Sequence, residues 1–366
     1  MNINIITMHR VFNYGSVLQT YALSTYLEKQ GHNVKIIDYI PERFKIKNVI
    51  TYVNPKRNKS ILHKVAFIIA ALPGRLLHKN IFENFIDKNY KVTKEKYYNI
   101  DELKLNIPEA DIYITGSDQV WNSGFENRVD KAYFLDFVPP NKKKIAYSSS
   151  FGKDKLDDYE VSEIKKMLDK YNYISVREDS GLNILRNIGI KDAIQVIDPT
   201  LLLDKDEWDK KASSRLIKEK YLLIYQLNPN KDIIKYANII AREKKLKVAK
   251  FGWDYFKSSN IDINLNYKKP EDFLSAIKNA EFIVTDSFHG TIFSLKFNKK
   301  FICVAPPKYA GRLDSILRKV NLEDRMINGN LNVENVYKNI DYKKINIILK
   351  DEKIKAEKYL IDAINN

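Results

Sequence analysis

Segments with the apolar pattern of β-strands alternate with helical patterns along nearly the whole chain of 366 residues. The first unit is the clearest, because residues 4–8 predict a buried strand, residues 17–30 a helix and residues 34–39 a second strand. A βαβ unit of this kind joins parallel strands by a right-handed crossover. The alternation therefore predicts an α/β fold built from doubly wound parallel sheets.

The alternation falls into two series, and a chain of this length has room for about two domains at roughly 150 residues each. We predict an N-terminal Rossmann-like domain over 1–205, a C-terminal Rossmann-like domain over 206–345, and a C-terminal helix within 346–366 that is placed to pack back across the domains. Ligands of such sheets bind beyond the carboxyl ends of the strands. The binding site is therefore expected in a cleft between the two domains.

Residues 42–100 interrupt this rhythm and are rich in positive charge. They predict an insertion of basic loops and helices, with a turn at Pro73-Gly74. From Glu42 to Lys79 there are nine Lys and Arg residues and one acidic residue, which together supply +8 of the net charge of +16. Such a segment suits a cover over the mouth of the site or contact with an anionic membrane, whereas the alternative is a chain that is simply basic throughout.

The remaining composition limits where such a chain works and what it binds. The longest apolar run, residues 65–72, is too short for a membrane span, and the N-terminus lacks a signal-peptide pattern. The single cysteine, Cys303, is predicted to be a buried strand thiol in a reducing compartment. No Cys/His cluster points to a metal, and no aromatic-basic motif points to nucleic acid. We expect a cytoplasmic protein that could lie peripherally at the inner face of the membrane.

Four polar loops follow predicted strands, and the first spans residues 9–16. Gly15 allows the backbone to approach a ligand closely, and Ser16 is placed to cap the next helix, whose N-terminus attracts anions. Together with Asn13 and Tyr14 they form a candidate acceptor-binding loop. The loop lacks the G-x-G-x-x-G fingerprint, so a dinucleotide cofactor is not expected. The alternative is an ordinary βα turn with a cap.

The second loop, residues 116–122, carries more polar positions than a turn requires. Asp118 is a candidate for holding a sugar hydroxyl or for acting as a base, with Ser117 and Gln119 beside it. Trp121 could stack on a sugar face, but we expect it to anchor the loop in the core.

The third and fourth loops carry a cation and a proton donor. Arg177 ends a strand, where its guanidinium could bind a carboxylate or phosphate, or could form a salt bridge with Glu178 or Asp179. His289 follows an apolar strand at the start of a helix, a position that favours a bound anion. Imidazole titrates near neutral pH and can act as an acid, and the alternative is a histidine that only packs the turn.

Taken together and in this order, the loops resemble the polysaccharide pyruvyl transferase family. The matching stretches are N-Y-G-S-V-L-Q-T-Y-A-L, G-S-D-Q-V-W-N, S-S-S-F-G, S-V-R-E-D-S-G, D-P-T-L-L-L and D-S-F-H-G-T-I-F-S-L. They are distributed over residues 1–320 and leave mainly residues 42–100 and the C-terminal tail uncovered. The resemblance implies two Rossmann-like halves facing a cleft in a GT-B-like glycosyltransferase architecture. It also implies phosphoenolpyruvate as co-substrate, no further cofactor, and a pyruvate ketal on a sugar as product.

The same resemblance implies roles for individual residues. His289 matches the family's catalytic histidine, and Arg177 matches a position that resembles a donor-binding arginine. Ser287 stands where members often carry an arginine two residues before that histidine, so either another cation neutralises the phosphate or the donor differs. Lys308 and Arg312 are the candidates for that cation. The expected donor site then comprises Arg177, Ser287, Gly290, Lys308 and Arg312.

We therefore expect a transferase that moves pyruvyl from phosphoenolpyruvate to a sugar of a capsular polysaccharide, an exopolysaccharide or a lipid-linked precursor. His289 is the expected acid that protonates the methylene carbon, and Asp118 is the expected base. Two other functions stay open: a GT-B-type glycosyltransferase that uses a nucleotide sugar, and a non-catalytic sugar-binding protein of polysaccharide assembly.

Overall fold

The computed structural model describes residues 1–51, 60–252, 260–306, 310–329 and 333–366. Over these residues the strands form two sheets, one from each half of the chain, and all paired strands run parallel. The predicted α/β architecture of doubly wound parallel sheets is confirmed.

The first sheet has seven strands in the order β3-β2-β1-β4-β5-β6-β7. The strands are β1 (Asn2–Ile6), β2 (Asn33–Tyr39), β3 (Val92–Tyr97), β4 (Ile112–Thr115), β5 (Lys143–Ser149), β6 (Tyr173–Val176) and β7 (Ile194–Gln195). The central strands β1 and β4 are almost fully buried, because helices cover both faces of the sheet.

The second sheet has six strands in the order β10-β9-β8-β11-β12-β13. The strands are β8 (Tyr221–Tyr225), β9 (Lys247–Gly252), β10 (Ile263–Asn266), β11 (Phe282–Thr285), β12 (Lys300–Val304) and β13 (Met326–Ile327). Cys303 lies on β12 and is buried, as predicted, and burial raises the pKa of its thiol to about 12.

In each sheet the chain begins at a central strand, adds strands outward on one side, and then continues on the other side of that first strand. This change of side creates a topological switch point. The switch point lies between β1 and β4 in the first sheet and between β8 and β11 in the second. At a switch point the connections leave the sheet to opposite faces, and a crevice opens beyond the carboxyl ends of the two strands.

The helices that connect these strands have the following bounds. They are α1 (Tyr14–Lys29), α2 (Ile46–Thr51), α3 (Ile61–Asn89), α4 (Ile100–Leu105), α5 (Asp158–Leu168), α6 (Asp179–Asn187), α7 (Lys205–Lys211), α8 (Lys231–Glu243), α9 (Pro270–Asn279), α10 (Phe288–Lys296), α11 (Gly311–Lys319), α12 (Val333–Tyr337) and α13 (Tyr342–Asn365).

The basic segment 42–100 differs from the predicted insertion in two ways. It contains β3, which forms the edge of the first sheet, so it is not made of loops and helices alone. The turn predicted at Pro73-Gly74 is also wrong, because both residues lie inside the long helix α3. Pro73 and Ile69 are both exposed, so water can reach the carbonyl of Ile69 that the proline leaves unbonded.

Helix α3 also changes the expectation that no apolar segment of the chain is long enough to span a membrane. The segment Lys64–Asn89 is long and apolar enough to cross a membrane when judged by length and composition, and only 11% of its most apolar 18-residue window is buried. By itself this is weak evidence, because core helices of other proteins pass the same test. The sequence missed this length because the predicted turn divided the helix.

An aromatic cluster joins the two halves on one side of the molecule. Tyr14 of α1 stacks on Phe273 of α9 with ring centroids 5.1 Å apart, and it meets the edge of Phe251 at 5.0 Å. The Tyr14 hydroxyl donates a hydrogen bond to the carbonyl of Lys268 at 2.8 Å. The start of α1 is therefore part of the hydrophobic core of the second half.

The C-terminal helix α13 follows the second sheet but contacts the first. The hydroxyl of Tyr359 donates a hydrogen bond to the carbonyl of Ala146 on β5 at 2.8 Å. Lys143, at the start of β5, donates to the carbonyl of Ile364 at 2.9 Å. The last helix thus links the end of the chain to the N-terminal half.

Candidate active site

A cavity of about 430 Å³ lies at the carboxyl ends of the strands beside both switch points. The first half contributes loops that follow β1, β2 and β4, and the second half contributes loops that follow β8, β11 and β12. Seven residues selected from the sequence are on its wall: Asn13, Ser16, Asp118, Gln119, Ser287, His289 and Arg312. Larger cavities of about 580 and 800 Å³ lie elsewhere, and neither is lined by a histidine.

His289 lies on the cavity wall in the first turn of α10, where Ser287 is the N-cap. The Ser287 hydroxyl accepts a hydrogen bond from the Gly290 amide at 3.2 Å, which satisfies one amide of this helix end. The His289 side chain is almost fully buried, and its Nε2 atom has no hydrogen-bond partner among the described residues. A buried, unbonded ring nitrogen beside a cavity is suited to a group on a bound ligand.

Asp198 is a carboxylate that the sequence analysis overlooked beside His289. Its Oδ2 atom is 3.6 Å from Nε2 of His289 and 3.1 Å from Nη1 of Arg177. Burial raises the pKa of Asp198, but the charges of His289 and Arg177 outweigh burial and hold that pKa well below its usual range. Asp198 is therefore ionised at neutral pH and places a negative charge 3.6 Å from Nε2 of His289. The signal for it was the D-P-T-L-L-L stretch, which contributed to the family resemblance but was not assigned a role in the site.

Arg177, expected to bind the donor, is not on the cavity wall. Its side chain is 1% exposed and lies 3.1 Å from Asp198, 3.5 Å from Glu178 and 3.6 Å from Asp118. The guanidinium also lies over the ring of Phe288 at 4.4 Å. Three carboxylates already neutralise this cation, so the geometry favours a role in holding Asp118 and Asp198 in place over direct contact with a donor.

Asp118 is ionised and fixed on the wall of the cavity. It accepts a hydrogen bond from the Ser16 hydroxyl at 2.6 Å and one from the Gln119 amide at 2.9 Å. Burial raises the pKa of Asp118. The charges of Arg177 and His289 and the hydrogen bond from Ser16 lower that pKa by a larger amount, so the net shift is downward. Its backbone has φ of 75°, in the left-handed region that non-glycine residues seldom adopt. Such conformations concentrate at functional sites.

The first loop is arranged differently from its prediction. Helix α1 starts at Tyr14, and its cap is Asn13, whose side chain accepts hydrogen bonds from the amides of Gly15 and Ser16. Ser16 is therefore in the first turn and does not cap the helix, because the chain turns helical earlier than predicted. Tyr14, expected to bind the acceptor, lies instead in the aromatic cluster between the halves and does not line the cavity.

Gly15 approaches the side chain of His289 closely, whereas the prediction was approach to a ligand. A Cβ atom added at Gly15 would lie 2.0 Å from Nδ1 and 2.2 Å from Cγ of His289. No other residue has room there, because any side chain would occupy the position of the imidazole. The first turn of α1 and the first turn of α10 thus meet at His289.

Three further predicted residues have structural positions behind the cavity. The Ser117 hydroxyl donates a hydrogen bond to the carbonyl of Ser148 at 2.7 Å, and its oxygen lies 3.3 Å from Oδ2 of Asp198. Gly290 allows α10 to pass Thr285, whose hydroxyl would be 2.5 Å from an added Cβ. Trp121 is buried in the core and stacks on Phe134, so its predicted role as an anchor is confirmed.

The cavity contains a second cation that sequence reasoning missed. Arg43, in the short 3₁₀ turn Glu42–Phe44, lines the wall, and its guanidinium lies 4.1 Å from the ring centre of Phe125 and 4.4 Å from that of Phe44. Its Nε atom has no hydrogen-bond partner among the described residues. Arg312 of α11 is the other arginine on this wall. Lys308, the remaining candidate from the sequence, lies outside the described residues.

Other polar groups hold the loops around the cavity. Asp286 accepts hydrogen bonds from the amides of Leu227 and Asn228 at 2.7 and 2.8 Å, so it joins the loops after β8 and β11. Behind the loop after β1, Arg10 donates two hydrogen bonds to Asp38 at 2.6 and 2.7 Å. No group of three or more His, Cys, Asp or Glu in the described ranges is placed to hold a metal ion.

Comparison with protein families identifies one match. The sequence model of the polysaccharide pyruvyl transferase family matches residues 13–308. This range includes all residues of the cavity wall except Arg312 and those before Asn13. No curated protein is a significant match to the sequence.

Solved structures of other proteins have a similar fold. An MnaA–UDP complex from S. aureus is 12% identical, with a TM-score of 0.51, and covers 100% of this chain and 98% of its own. A UDP-N-acetylglucosamine 2-epimerase is 10% identical, with a TM-score of 0.53 and coverage of 98% and 95%. AviGT4, a glycosyltransferase of avilamycin A biosynthesis, is 10% identical, with a TM-score of 0.50 and coverage of 99% and 97%. At such low identity these structures establish the fold, and the predicted GT-B-like architecture of two Rossmann-like halves is confirmed.

Proposed function

Because the chain belongs to the polysaccharide pyruvyl transferase family, we propose that it transfers the pyruvyl group of phosphoenolpyruvate to a sugar and forms a pyruvate ketal. The sugar belongs to a capsular polysaccharide, an exopolysaccharide or a lipid-linked precursor, and transfer takes place on the cytoplasmic side of the membrane. The observation that carries the proposal is one cavity that holds His289 with an ionised carboxylate beside it and two arginines on its wall.

The donor is a small acid with a carboxylate and a phosphate, so its site needs cations at two positions. Arg43 and Arg312 supply guanidinium groups that can each form paired hydrogen bonds with a carboxylate or phosphate. The N-terminus of α10 adds the partial positive charge of a helix end. These positive groups take the place of the arginine that family members often carry at the position of Ser287. Ser287 itself caps the helix.

His289 is the proton donor in this proposal. Protonation of the methylene carbon of phosphoenolpyruvate makes the neighbouring carbon electrophilic, and Asp198 stabilises the imidazolium before the proton leaves. The reacting carbon and the imidazole must lie within contact distance, which the cavity wall allows.

The reaction then proceeds through two additions to the same carbon. A first sugar hydroxyl adds to the electrophilic carbon and gives its proton to a base. The carbon–oxygen bond to phosphate breaks with release of inorganic phosphate, and a second hydroxyl of the same sugar adds and loses its proton. One of the two hydroxyl protons replaces the proton that His289 delivered, and the other leaves with phosphate.

The acceptor hydroxyls are expected beside the loop after β1 and Asp118. Asn13, Ser16, Asp118 and Gln119 supply carboxylate, amide and hydroxyl groups on the same wall. Asp118 is the proposed base, and its lowered pKa keeps it ionised so that it can orient a hydroxyl and accept a proton in the transition state.

Phosphate release from phosphoenolpyruvate across a panel of sugars and lipid-linked sugars tests the proposal. His289→Ala should lower turnover by at least about 100-fold, since general acid catalysis supplies about 10² to 10⁴ in rate. His32→Ala is the matched control, because His32 lies just before β2, at the opposite end of the sheet from the cavity. A loss below about tenfold for His289→Ala would remove this residue from the acid role.

Binding measurements on the same protein distinguish pyruvyl transfer from the two other functions. Calorimetry with nucleotide sugars in place of phosphoenolpyruvate would show binding of the former and not of the latter if the chain were a glycosyltransferase. Sugar binding without binding of either donor would identify a non-catalytic protein of polysaccharide assembly.

A further inference from the structure

We propose that the N-terminal part of α3 lies in the interface of an anionic lipid bilayer and holds the mouth of the cavity against the membrane surface. Only one part of this inference rests on the proposed function, namely that the membrane carries the sugar acceptor. The surface itself is defined by the side chains and charges of the chain.

One face of α3 is an exposed apolar stripe. It is formed by Leu62, Val65, Ile69 and Leu76, which are 83%, 48%, 66% and 40% exposed. Their spacing of three, four and seven residues places them on one face of the helix. The stripe is about 21 Å long at 1.5 Å per residue. Ile61 and Leu77 add further exposed apolar surface beside it, at 81% and 49% exposure.

The charge around the stripe identifies what covers it. From Arg43 to Phe82 the chain contains nine Lys and Arg residues and no Asp or Glu. Within the described part of this range, Lys47 and Lys64 are exposed. An apolar helix face within a segment whose charged residues are all basic is typical of peripheral binding to anionic lipid. An apolar contact with another protein would not require this exclusion of acidic residues.

The geometry favours a helix in the plane of the interface over one that crosses the bilayer. The C-terminal part of α3 is fixed in the core, where Phe82, Phe85 and Ile86 are buried. The exposed part, residues 61–77, is about 25 Å long at 1.5 Å per residue, shorter than the roughly 30 Å hydrocarbon layer. A span would have to pull the buried residues out of the core.

Helix α3 is also attached to the cavity loops. Phe12, which precedes the cap residue of α1, packs against Phe82 at 5.9 Å and against His78 at 5.6 Å between ring centroids. A Cβ added at Gly74 would lie 2.4 Å from the hydroxyl of Tyr267, so α3 also touches the second half. A bilayer bound to α3 therefore lies next to the cleft, where a lipid-linked sugar can reach the cavity.

Vesicle sedimentation of the full chain tests this surface without substrate. Wild-type protein should bind vesicles that contain phosphatidylglycerol at least tenfold more strongly than vesicles of phosphatidylcholine alone. The double variant Leu62→Glu/Ile69→Glu should lower that binding at least tenfold. The matched control is Ile347→Glu/Ile354→Glu on α13, which adds the same charge at the same seven-residue spacing at sites 61% and 54% exposed, and it should change binding less than twofold.

Three results would overturn the proposal: wild-type protein that does not bind the anionic vesicles, equal binding of wild-type protein to both kinds of vesicle, or equal losses in the two double variants. A wild-type dimer that the α3 variant converts to a monomer, without vesicle binding, would instead make the stripe a contact between copies of the chain. The test contains no phosphoenolpyruvate and no acceptor. Turnover on a water-soluble acceptor without vesicle binding would refute only the membrane surface, and vesicle binding without turnover would refute only the proposed function.

Discussion

The contact between Gly15 and His289 gives the sharpest test of the site, through the substitution Gly15→Ala. The added Cβ would lie 2.0 Å from Nδ1, 2.2 Å from Cγ and 2.7 Å from Cβ of His289. Non-bonded heavy atoms are at their optimal separation at about 3.5 Å, so the imidazole must move by about 1.5 Å. Nε2 of the same ring lies 3.6 Å from Oδ2 of Asp198, so a movement of this size changes the position of Nε2 relative to the carboxylate and to the donor.

The expected effect is on turnover and not on helix formation. Alanine is a better helix former than glycine by up to about 1 kcal/mol, so the backbone of α1 gains from the change. A misplacement of about 1 Å in a catalytic group costs about 100-fold in rate, equivalent to about 2.7 kcal/mol of activation free energy. We therefore expect a loss of at least about 100-fold in kcat.

The assay is the initial rate of phosphate release from phosphoenolpyruvate with the best acceptor, together with the melting temperature. Gly252→Ala is the control, because no atom of the described residues lies within 4 Å of a Cβ at that position. A Gly15→Ala protein with an unchanged melting temperature and kcat within threefold of wild type would refute the assigned role of His289 and its contact with α1.

Further predictions concern the donor cations, the buried carboxylate and the thiol. Arg43→Ala and Arg312→Ala should each raise KM for phosphoenolpyruvate at least tenfold through loss of a charged hydrogen-bond donor, whereas Arg186→Ala, on an exposed face of α6, should leave KM unchanged. Asp198→Asn should lower the free energy of unfolding by about 3 kcal/mol at pH 7 in denaturant titrations, because it removes the carboxylate that lies 3.1 Å from the buried guanidinium of Arg177. Since the folded-state pKa of Asp198 is lowered, its contribution is present above the unfolded value of about 4 and is lost as pH falls below it, so wild type and variant should converge at low pH, and a constant difference would contradict this. Cys303, with its pKa raised to about 12, should resist thiol reagents at pH 8 in the native protein and react only on unfolding, and rapid native labelling would contradict its burial.

The sequence predicted the central strands well and missed three edge strands. β3, β10 and β13 were not predicted, and β10 and β13 are edges of the second sheet while β3 is an edge of the first. An edge strand is covered less completely, so its sequence need not be an apolar run; β3 reads V-T-K-E-K-Y, with three consecutive exposed residues. The order of strands in each sheet also depends on contacts between distant segments, which local periodicity does not contain.

The site was predicted where local pattern determined it and missed where distant partners did. His289 is positioned by a strand, a cap and a helix that are adjacent in sequence, and these signals are readable. Arg177 and Tyr14 look accessible in sequence because they are polar residues at loop ends. Their burial depends on Asp198 and Phe273, which are far along the chain. Arg43 was hidden for a similar reason, because the charge of the basic segment gave no indication of which cation faces the cavity.

The insertion of Tyr14 into the second half restricts how this enzyme can exchange its ligands. Tyr14 is stacked on Phe273 and bonded to Lys268, and the next residue along the chain touches His289. The start of α1 consequently travels with the C-terminal half, although its own strand belongs to the N-terminal sheet. A hinge motion that separated the halves at this point would break the aromatic stack and pull α1 away from β1. We therefore expect ligands to pass through the rim of the cleft without separation of the halves at this point, and the two sheets to melt together in one calorimetric transition.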